Sequence, residues 1–135
     1  MLRIVVPGPP PRKNARGTIA VVRGRARRVT PKRTRDWVAA LDAAWRISLD
    51  RRVPERLAKS GRWSVSITTW EEKLRHLDVS VPLGDVDSVI SIVLDGLQKI
   101  GLLDDDARVI EVMARKRYSL GTPPRVEIEM WQDAT

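Results

Sequence analysis

The 135-residue sequence contains no cysteine and a single histidine, His76. Without cysteine the chain has no disulfide framework, no zinc–thiolate site and no thiol nucleophile. One histidine is too few for the zinc centres that rely on several imidazole ligands. These absences exclude thiol chemistry, argue against zinc catalysis and suit a reducing compartment such as the cytoplasm.

Long apolar runs are also missing. The opening segment MLRIVVPGPP has too short an apolar stretch for a secretory signal, and no later run approaches the length of a membrane span. We therefore expect a soluble cytoplasmic protein with no membrane partner. A chain of this length suits one domain, residues 1–135, because a core of this size is stable without crosslinks.

Acidic residues are scarce in the first half of the chain. Residues 1–62 hold 17 Lys/Arg and 4 Asp/Glu, a net charge of +13, whereas residues 63–135 hold 8 and 13, a net charge of −5. Such asymmetry predicts a surface that binds a polyanion, although a basic face that is merely solvated is the alternative. Ten basic residues with no acidic residue among them are the candidates for binding backbone phosphates: Arg12, Lys13, Arg16, Arg23, Arg25, Arg27, Arg28, Lys32, Arg33 and Arg35.

Apolar spacing predicts an α+β fold. Alternation with a period of two residues predicts strands at residues 2–6, 63–70, 107–118 and 125–131, the last two forming a closing hairpin. Within the basic stretch, Gly24 is flanked by residues 18–22 and 27–29 and suggests a hairpin, with a flexible basic arm as the alternative. Helical spacing predicts helices at 31–49 and 88–100, the second ending at Gly101.

Two groups of aspartates bracket the second predicted helix. Asp85 and Asp87 precede it, and three consecutive aspartates, residues 104–106, follow it. Carboxylates are the hard oxygen ligands that Mg²⁺ prefers, with Mn²⁺ as a possible substitute. The alternatives are a helix cap at Asp87 and a solvated turn at 104–106. Because the helix separates the two groups by about 20 Å, they meet only if the chain doubles back after Gly101.

Several short motifs occur together in this order along nearly the whole chain. They are Val6-Pro7-Gly8-Pro9-Pro10 with Lys13 and Arg16, Thr30-Pro31-Lys32-Arg33-Thr34-Arg35, Asp85-Val86-Asp87, Asp95, Gly101, and Asp105-Asp106-Ala107-Arg108-Val109. In this pattern the sequence resembles the RusA-type Holliday junction resolvases, which are common among phage and prophage endonucleases. The resemblance implies a mixed β-sheet with two main helices, assembled as a homodimer and acting in DNA recombination and repair.

The resemblance also implies a site and a substrate. Asp85, Asp87 and Asp106 match the family's catalytic, metal-binding carboxylates, with Asp105 as a neighbouring ligand. Each subunit is expected to hold magnesium, with no small-molecule cofactor, and to nick opposing strands of four-way, branched double-stranded DNA. The resemblance further implies a bacterial or phage-encoded protein associated with the nucleoid.

Two positions depart from the family pattern. The family has asparagine directly after the second aspartate and lysine three residues later, whereas this chain has Ser88 and Ser91. Serine cannot place positive charge on a transition-state phosphate. Lys13, Arg16 or Arg108 are candidates to replace that cation. The alternatives are a catalytically weak or inactive protein that only binds junctions, and a basic RNA-binding module.

Overall fold

The computed structural model describes residues 1–11, 18–22, 25–29, 32–48, 61–72 and 86–133, and it has an α+β architecture. The long elements, in chain order, are β1 (Leu2–Pro7), β2 (Thr18–Val22), β3 (Arg25–Val29), α1 (Lys32–Ile47), β4 (Arg62–Glu71), α2 (Val86–Lys99), β5 (Val109–Tyr118) and β6 (Arg125–Asp133). A short 3₁₀ turn, Asp106–Arg108, precedes β5. The strands and helices predicted from apolar spacing are confirmed, with ends shifted by one or two residues.

The main sheet has four strands in the order β1-β6-β4-β5. β6 runs antiparallel to both β1 and β4, whereas β4 and β5 are parallel, so the sheet is mixed. The predicted closing hairpin of β5 with β6 is therefore wrong, because β4 lies between them. A parallel pair needs a long crossover connection, and the segment containing α2 provides it.

The core lies on one face of this sheet, which we call the inner face. Alternate strand residues point into it, and the apolar sides of α1 and α2 cover it. Because every second side chain of a strand faces the same way, the period-two pattern of the sequence places these residues together. The buried apolar strand residues are Leu2, Ile4, Val6, Trp63, Val65, Ile67, Val126, Ile128 and Met130.

The two helices approach each other closely at Gly96 of α2. A Cβ atom at this position would lie 2.9 Å from Cδ2 of Leu41 and 2.9 Å from Cζ3 of Trp37, both on α1. Glycine therefore allows the contact between the two helices. Trp37 is 5% exposed, so it belongs to the core and offers no surface for stacking bases.

The basic stretch includes a two-stranded antiparallel sheet of β2 and β3. Its register pairs Val22 with Arg25 and Thr18 with Val29, which confirms the hairpin predicted around Gly24. In the part of the chain that the structure describes, no helix is long and apolar enough to cross a bilayer.

Candidate metal and nucleic-acid site

The chain reverses direction immediately after α2. Gly101 adopts a left-handed backbone with φ of 80°, as the sequence predicts for the residue that ends this helix. The backbone N–H groups of Leu102 and Leu103 both donate to the carbonyl of Leu97, at 3.0 and 3.1 Å. Since both leucines are buried, the reversal is anchored in the core. The following aspartates are thereby carried back along α2.

Two of the three consecutive aspartates stabilise the turn that carries them. Asp104 accepts hydrogen bonds from Arg108, with Nε at 2.6 Å and Nη2 at 3.3 Å. Asp105 caps the 3₁₀ turn, because its carboxylate accepts from the backbone N–H of Ala107 at 2.9 Å. The prediction of a merely solvated turn is thus incomplete, since the exposed carboxylates also have structural partners.

The third aspartate, Asp106, is crowded by other carboxyl groups. Its pKa is raised above the ordinary value, chiefly by a hydrogen bond with the side chain of Asp105. Desolvation and the negative charges of Asp105 and Asp95 raise the pKa further. Asp95 is exposed in the second half of α2, so the reversal of the chain brings the turn near enough to this part of the helix for the two charges to interact. This arrangement concentrates negative charge at one place on the surface.

This cluster suits a hard divalent cation by the chemistry of its donors. Magnesium is commonly held by one or two carboxylates together with waters and substrate phosphate oxygens. Asp105 and Asp106 provide such carboxylates, and Asp95 adds charge nearby. Over the ranges that the structure describes, no three acidic or histidine side chains are grouped closely enough to hold a metal alone. The residues present therefore fit an ion that shares its coordination with substrate and water.

The other two predicted metal ligands are Asp85 and Asp87. Asp85 lies outside the described residues. Asp87 is exposed in the first turn of α2, where a negative charge interacts favourably with the helix dipole. It lies eight residues before Asp95, about 12 Å along the helix axis. Thus Asp105 and Asp95 are the acidic groups that raise the pKa of Asp106, and a contact between Asp106 and Asp87 stays a prediction.

Asp95 is the residue whose role sequence reasoning missed, although it belongs to the matching motifs. Helical spacing contains a signal for it. Residues 87, 91 and 95 follow one another at intervals of four along α2, so Asp87, Ser91 and Asp95 form one row on the helix surface. Its proximity to Asp106 depends on the chain reversal, which local spacing does not determine.

The two serines that depart from the family pattern occupy different environments. Ser91 is partly exposed, one helical turn from each of Asp87 and Asp95. Ser88 is only 3% exposed, and its Oγ has no hydrogen-bond partner among the residues that the structure describes. A buried hydroxyl without a partner costs stability. Arg108, a candidate to replace the missing lysine, is held by Asp104.

The ten predicted phosphate-binding residues fall into three groups. Arg12, Lys13, Arg16 and Arg23 lie outside the described residues. Three lie on β3 at backbone positions that the register defines: Arg25, Arg27 and Arg28. The remaining three are exposed at the start of α1, whose first turn contains no acidic residue: Lys32, Arg33 and Arg35. Cations at a helix N-terminus oppose the helix dipole, so these residues are placed at some cost to the helix.

Comparison with known proteins identifies the family. Residues 7–131 match the family model described as endodeoxyribonuclease RusA. No curated protein matches the chain. The family match runs from the last residue of β1 into β6 and includes both the aspartates beside α2 and the basic stretch. The chain therefore belongs to the RusA endodeoxyribonuclease family.

Proposed function

We propose that this chain is a magnesium-dependent endodeoxyribonuclease that nicks four-way DNA junctions during recombination and repair. The observation that carries the proposal is the crowding of Asp106 by Asp105 and Asp95 on the turn after α2. In a family of endodeoxyribonucleases, such a concentration of carboxylates is explained by a cation that bridges protein and phosphate.

Each candidate ligand has a distinct part in this proposal. Asp106 holds the ion, Asp105 both caps the turn and contributes a neighbouring oxygen, and Asp85 and Asp87 complete the site from the start of α2. A bound magnesium ion, or manganese in its place, supplies an activated water as nucleophile and positive charge opposite the phosphate. Asp95 keeps the region negative and favours cation binding.

The basic residues between 12 and 35 bind the phosphate backbone in this proposal. Guanidinium and ammonium groups contact phosphate whatever the base sequence, so they position the DNA without reading it. At the start of α1, the exposed cations Lys32, Arg33 and Arg35 coincide with the positive end of the helix dipole. Both features attract a phosphate, and they explain why charges unfavourable to the helix are found there.

We further propose that the active form is a homodimer in the cytoplasm. Resolving a four-way junction requires nicks in two opposing strands, and two copies related by a twofold axis provide two equivalent sites. Analytical ultracentrifugation of the free chain tests this assembly. A species with twice the 15.3 kDa mass of one chain supports it, and a purely monomeric species bound one to one with the junction contradicts it.

A second candidate function is junction binding without cleavage. Two observations favour it: serine stands at position 91, and Arg108 is engaged by Asp104 rather than directed at a substrate. In that case the carboxylate cluster is retained while the cation that stabilises the transition state is missing. The chain then binds junctions on behalf of another protein.

Cleavage of a labelled four-way junction, with magnesium, manganese or no divalent ion, separates the two functions. We expect metal-dependent nicking that is lost in Asp106→Asn and in Asp87→Asn, while junction binding is kept or strengthened. Asp42→Asn on α1 removes the same charge from a residue paired with Arg46 and serves as the matched control. Tight binding without nicking under either ion supports the binding protein instead, and preference for a double-stranded RNA of equal length contradicts both.

A further inference from the structure

One row of residues crosses the main sheet at the end farthest from the acidic turn. Reading the strand registers in order, Pro7 pairs with Arg125, Arg125 with Trp70, and Trp70 with Arg117. Adjacent strands are about 4.8 Å apart, so Pro7 and Arg117 are separated by roughly 14 Å. The row thus connects the end of β1, where the chain leads into the basic stretch, with the edge strand β5.

Strand β5 changes the sign of its charge along its length. On the outer face of the sheet, opposite the core, Glu111 lies near the acidic turn, and Arg115 and Arg117 follow toward the far end. All three side chains are exposed. The two arginines are two residues apart on the same face, a separation of about 6.7 Å. Two guanidinium groups therefore project side by side from an edge strand.

Neither arginine is neutralised by a carboxylate within the described ranges. Arg115 donates to the sulfur of Met113 at 2.7 Å, and Arg117 donates to the backbone carbonyl of Lys116 at 3.2 Å. These contacts orient the guanidinium groups and leave their charge uncompensated. Such charge on an edge strand discourages pairing with another sheet, which is the structural explanation of these residues.

The carboxylate nearest to Arg115 and Arg117 in the sheet registers, that of Glu127, already pairs with other arginines. Glu127 shares a row with Arg115, but it accepts from Arg125 at 2.8 Å and also pairs with Arg3 at 3.5 Å. These arginines lower the pKa of Glu127 against the opposing effect of burial. Arg125 in turn lies over the ring of Trp70, 4.8 Å from its centroid. The far end of the outer face consequently carries an excess of positive charge, which edge protection alone does not require.

The distances suit a double-stranded nucleic acid that spans both sites. From Val109, just after the acidic turn, to Arg117 the strand extends about 26 Å. That length equals about 8 base pairs of B-form DNA, whose strands each place a phosphate every 3.4 Å along the axis. Because Arg115 and Arg117 lie on the outer face and α2 covers the inner face, a duplex arm that leaves the carboxylate cluster passes both arginines by following the exposed edge of β5.

We propose that Arg115 and Arg117 form a second phosphate-binding site for a duplex arm of the substrate, at the edge of the sheet that β5 forms. This inference rests on the proposed function, because it assumes that DNA is held at the carboxylate cluster. The site binds the backbone without reading sequence, since its donors are exposed guanidinium groups.

The test measures affinity for a fluorescent four-way junction in EDTA, so that binding is separated from cutting. We compare Arg115→Gln and Arg117→Gln with Arg46→Gln, which removes another exposed arginine, at the end of α1. The logarithm of the binding constant falls linearly with the logarithm of the salt concentration. Each lost phosphate contact makes this slope shallower by about 0.9 and weakens binding roughly five- to tenfold at 0.1 M salt. We expect both changes in the two β5 variants and neither in the control.

The outcomes distinguish this inference from the proposed function. If the native chain cuts junctions in magnesium but the β5 variants bind with the same salt dependence as the native chain, the second site is wrong and the proposed nuclease function is supported. If the variants bind more weakly and with a shallower salt dependence while the native chain never cuts, the second site is supported and the proposed nuclease function is wrong. Equal loss in all three variants means that net charge alone governs binding, which also overturns the second site.

Discussion

The carboxylate of Asp104 holds the guanidinium of Arg108 through two hydrogen bonds that span the 3₁₀ turn. The pair encloses Asp106, so the residue proposed to hold the metal lies on a segment fixed at both ends. Arg108 is therefore a structural partner of the turn, and the prediction that it replaces the missing lysine finds no support in its contacts. The same contacts lead to a prediction about pH.

Replacing Asp104 by asparagine should destabilise the protein at neutral pH but not in acid. The hydrogen bond from Arg108 is the main cause that lowers the pKa of Asp104. A lowered pKa contributes stability above the unfolded value of about 3.9, and that contribution is lost as the pH falls through the folded value. Melting temperatures of the native chain and of Asp104→Asn, measured from pH 7 to pH 2, should therefore converge at the acidic end. A constant difference over that range contradicts the assignment.

Replacing Asp106 by asparagine should have the opposite effect. The pKa of Asp106 is raised, first by its hydrogen bond with Asp105 and further by desolvation and nearby negative charge. The folded state therefore binds this proton more tightly than the unfolded chain, and the resulting stability is lost as the pH rises from about 3.9 through the raised value. In EDTA, Asp106→Asn should melt higher than the native chain at pH 7 and equally at pH 3.

Divalent ions supply the control for that experiment. Magnesium or manganese should raise the melting temperature of the native chain at pH 7 and leave Asp106→Asn unchanged, because ligand binding stabilises only the form that has the site. In EDTA, Asp95→Asn should raise the melting temperature less than Asp106→Asn does, since Asp95 has the smallest effect among the groups that raise the pKa of Asp106. An Asp106 variant that melts below the native chain at pH 7 in EDTA rules out the crowding argument.

Placing lysine at position 91 should increase both stability and cutting. Ser91→Lys introduces a cation four residues from each of Asp87 and Asp95, and each such helical pair contributes about 0.2–0.5 kcal/mol. The ammonium group also becomes available to a phosphate held at the cluster. We expect the rate of junction cutting under saturating magnesium to rise at least tenfold, which corresponds to about 1.4 kcal/mol.

The matched control for this change is Ser91→Met, which adds a side chain of similar length without charge. Single-turnover cutting distinguishes the two variants, because it reports the chemical step rather than product release. Equal rates for the lysine and methionine variants show that no catalytic cation is missing at this position.

Local patterns were sufficient to predict most elements but not their arrangement. The alternation of Trp63, Val65 and Ile67 defines β4 by itself, and Gly101 marks the end of α2. Which strands become neighbours depends on contacts between distant residues, so β5 and β6 were wrongly paired. Local spacing does not predict the effect of Asp95 on the pKa of Asp106 for the same reason, since that effect follows from a chain reversal anchored by buried leucines.

The contact between the helices can be tested at Gly96. In Gly96→Ala the new methyl group meets Leu41 and Trp37 at 2.9 Å, and overpacking of this kind costs about 1–3 kcal/mol. Alanine recovers up to about 1 kcal/mol through its higher helix propensity. Urea denaturation should therefore show a net loss of roughly 1–2 kcal/mol.

Gly101→Ala provides a comparison with a different cause. Within the described ranges, no atom lies within 4 Å of a Cβ added at Gly101, so the expected loss of about 1–2 kcal/mol comes from the left-handed backbone. Gly101→Asn should recover much of it, because asparagine tolerates that conformation. If Gly96→Ala is as stable as the native protein, the two helices are not in close contact at this point.

The start of α1 tests whether basic residues that destabilise the helix are needed to bind DNA. Arg33→Glu exchanges a cation for an anion in the first turn, where the helix dipole favours negative charge, and should stabilise the protein by roughly 1 kcal/mol. The same change should weaken junction binding more than tenfold and reduce its salt dependence, because a phosphate contact is replaced by repulsion. Arg46→Glu makes the same change of charge in the last turn of the helix, where a cation is favourable and pairs with Asp42. It should destabilise the protein and leave binding nearly unchanged. If instead both variants weaken binding equally, the basic start of α1 has no specific role in holding DNA, and its unfavourable charges need another explanation.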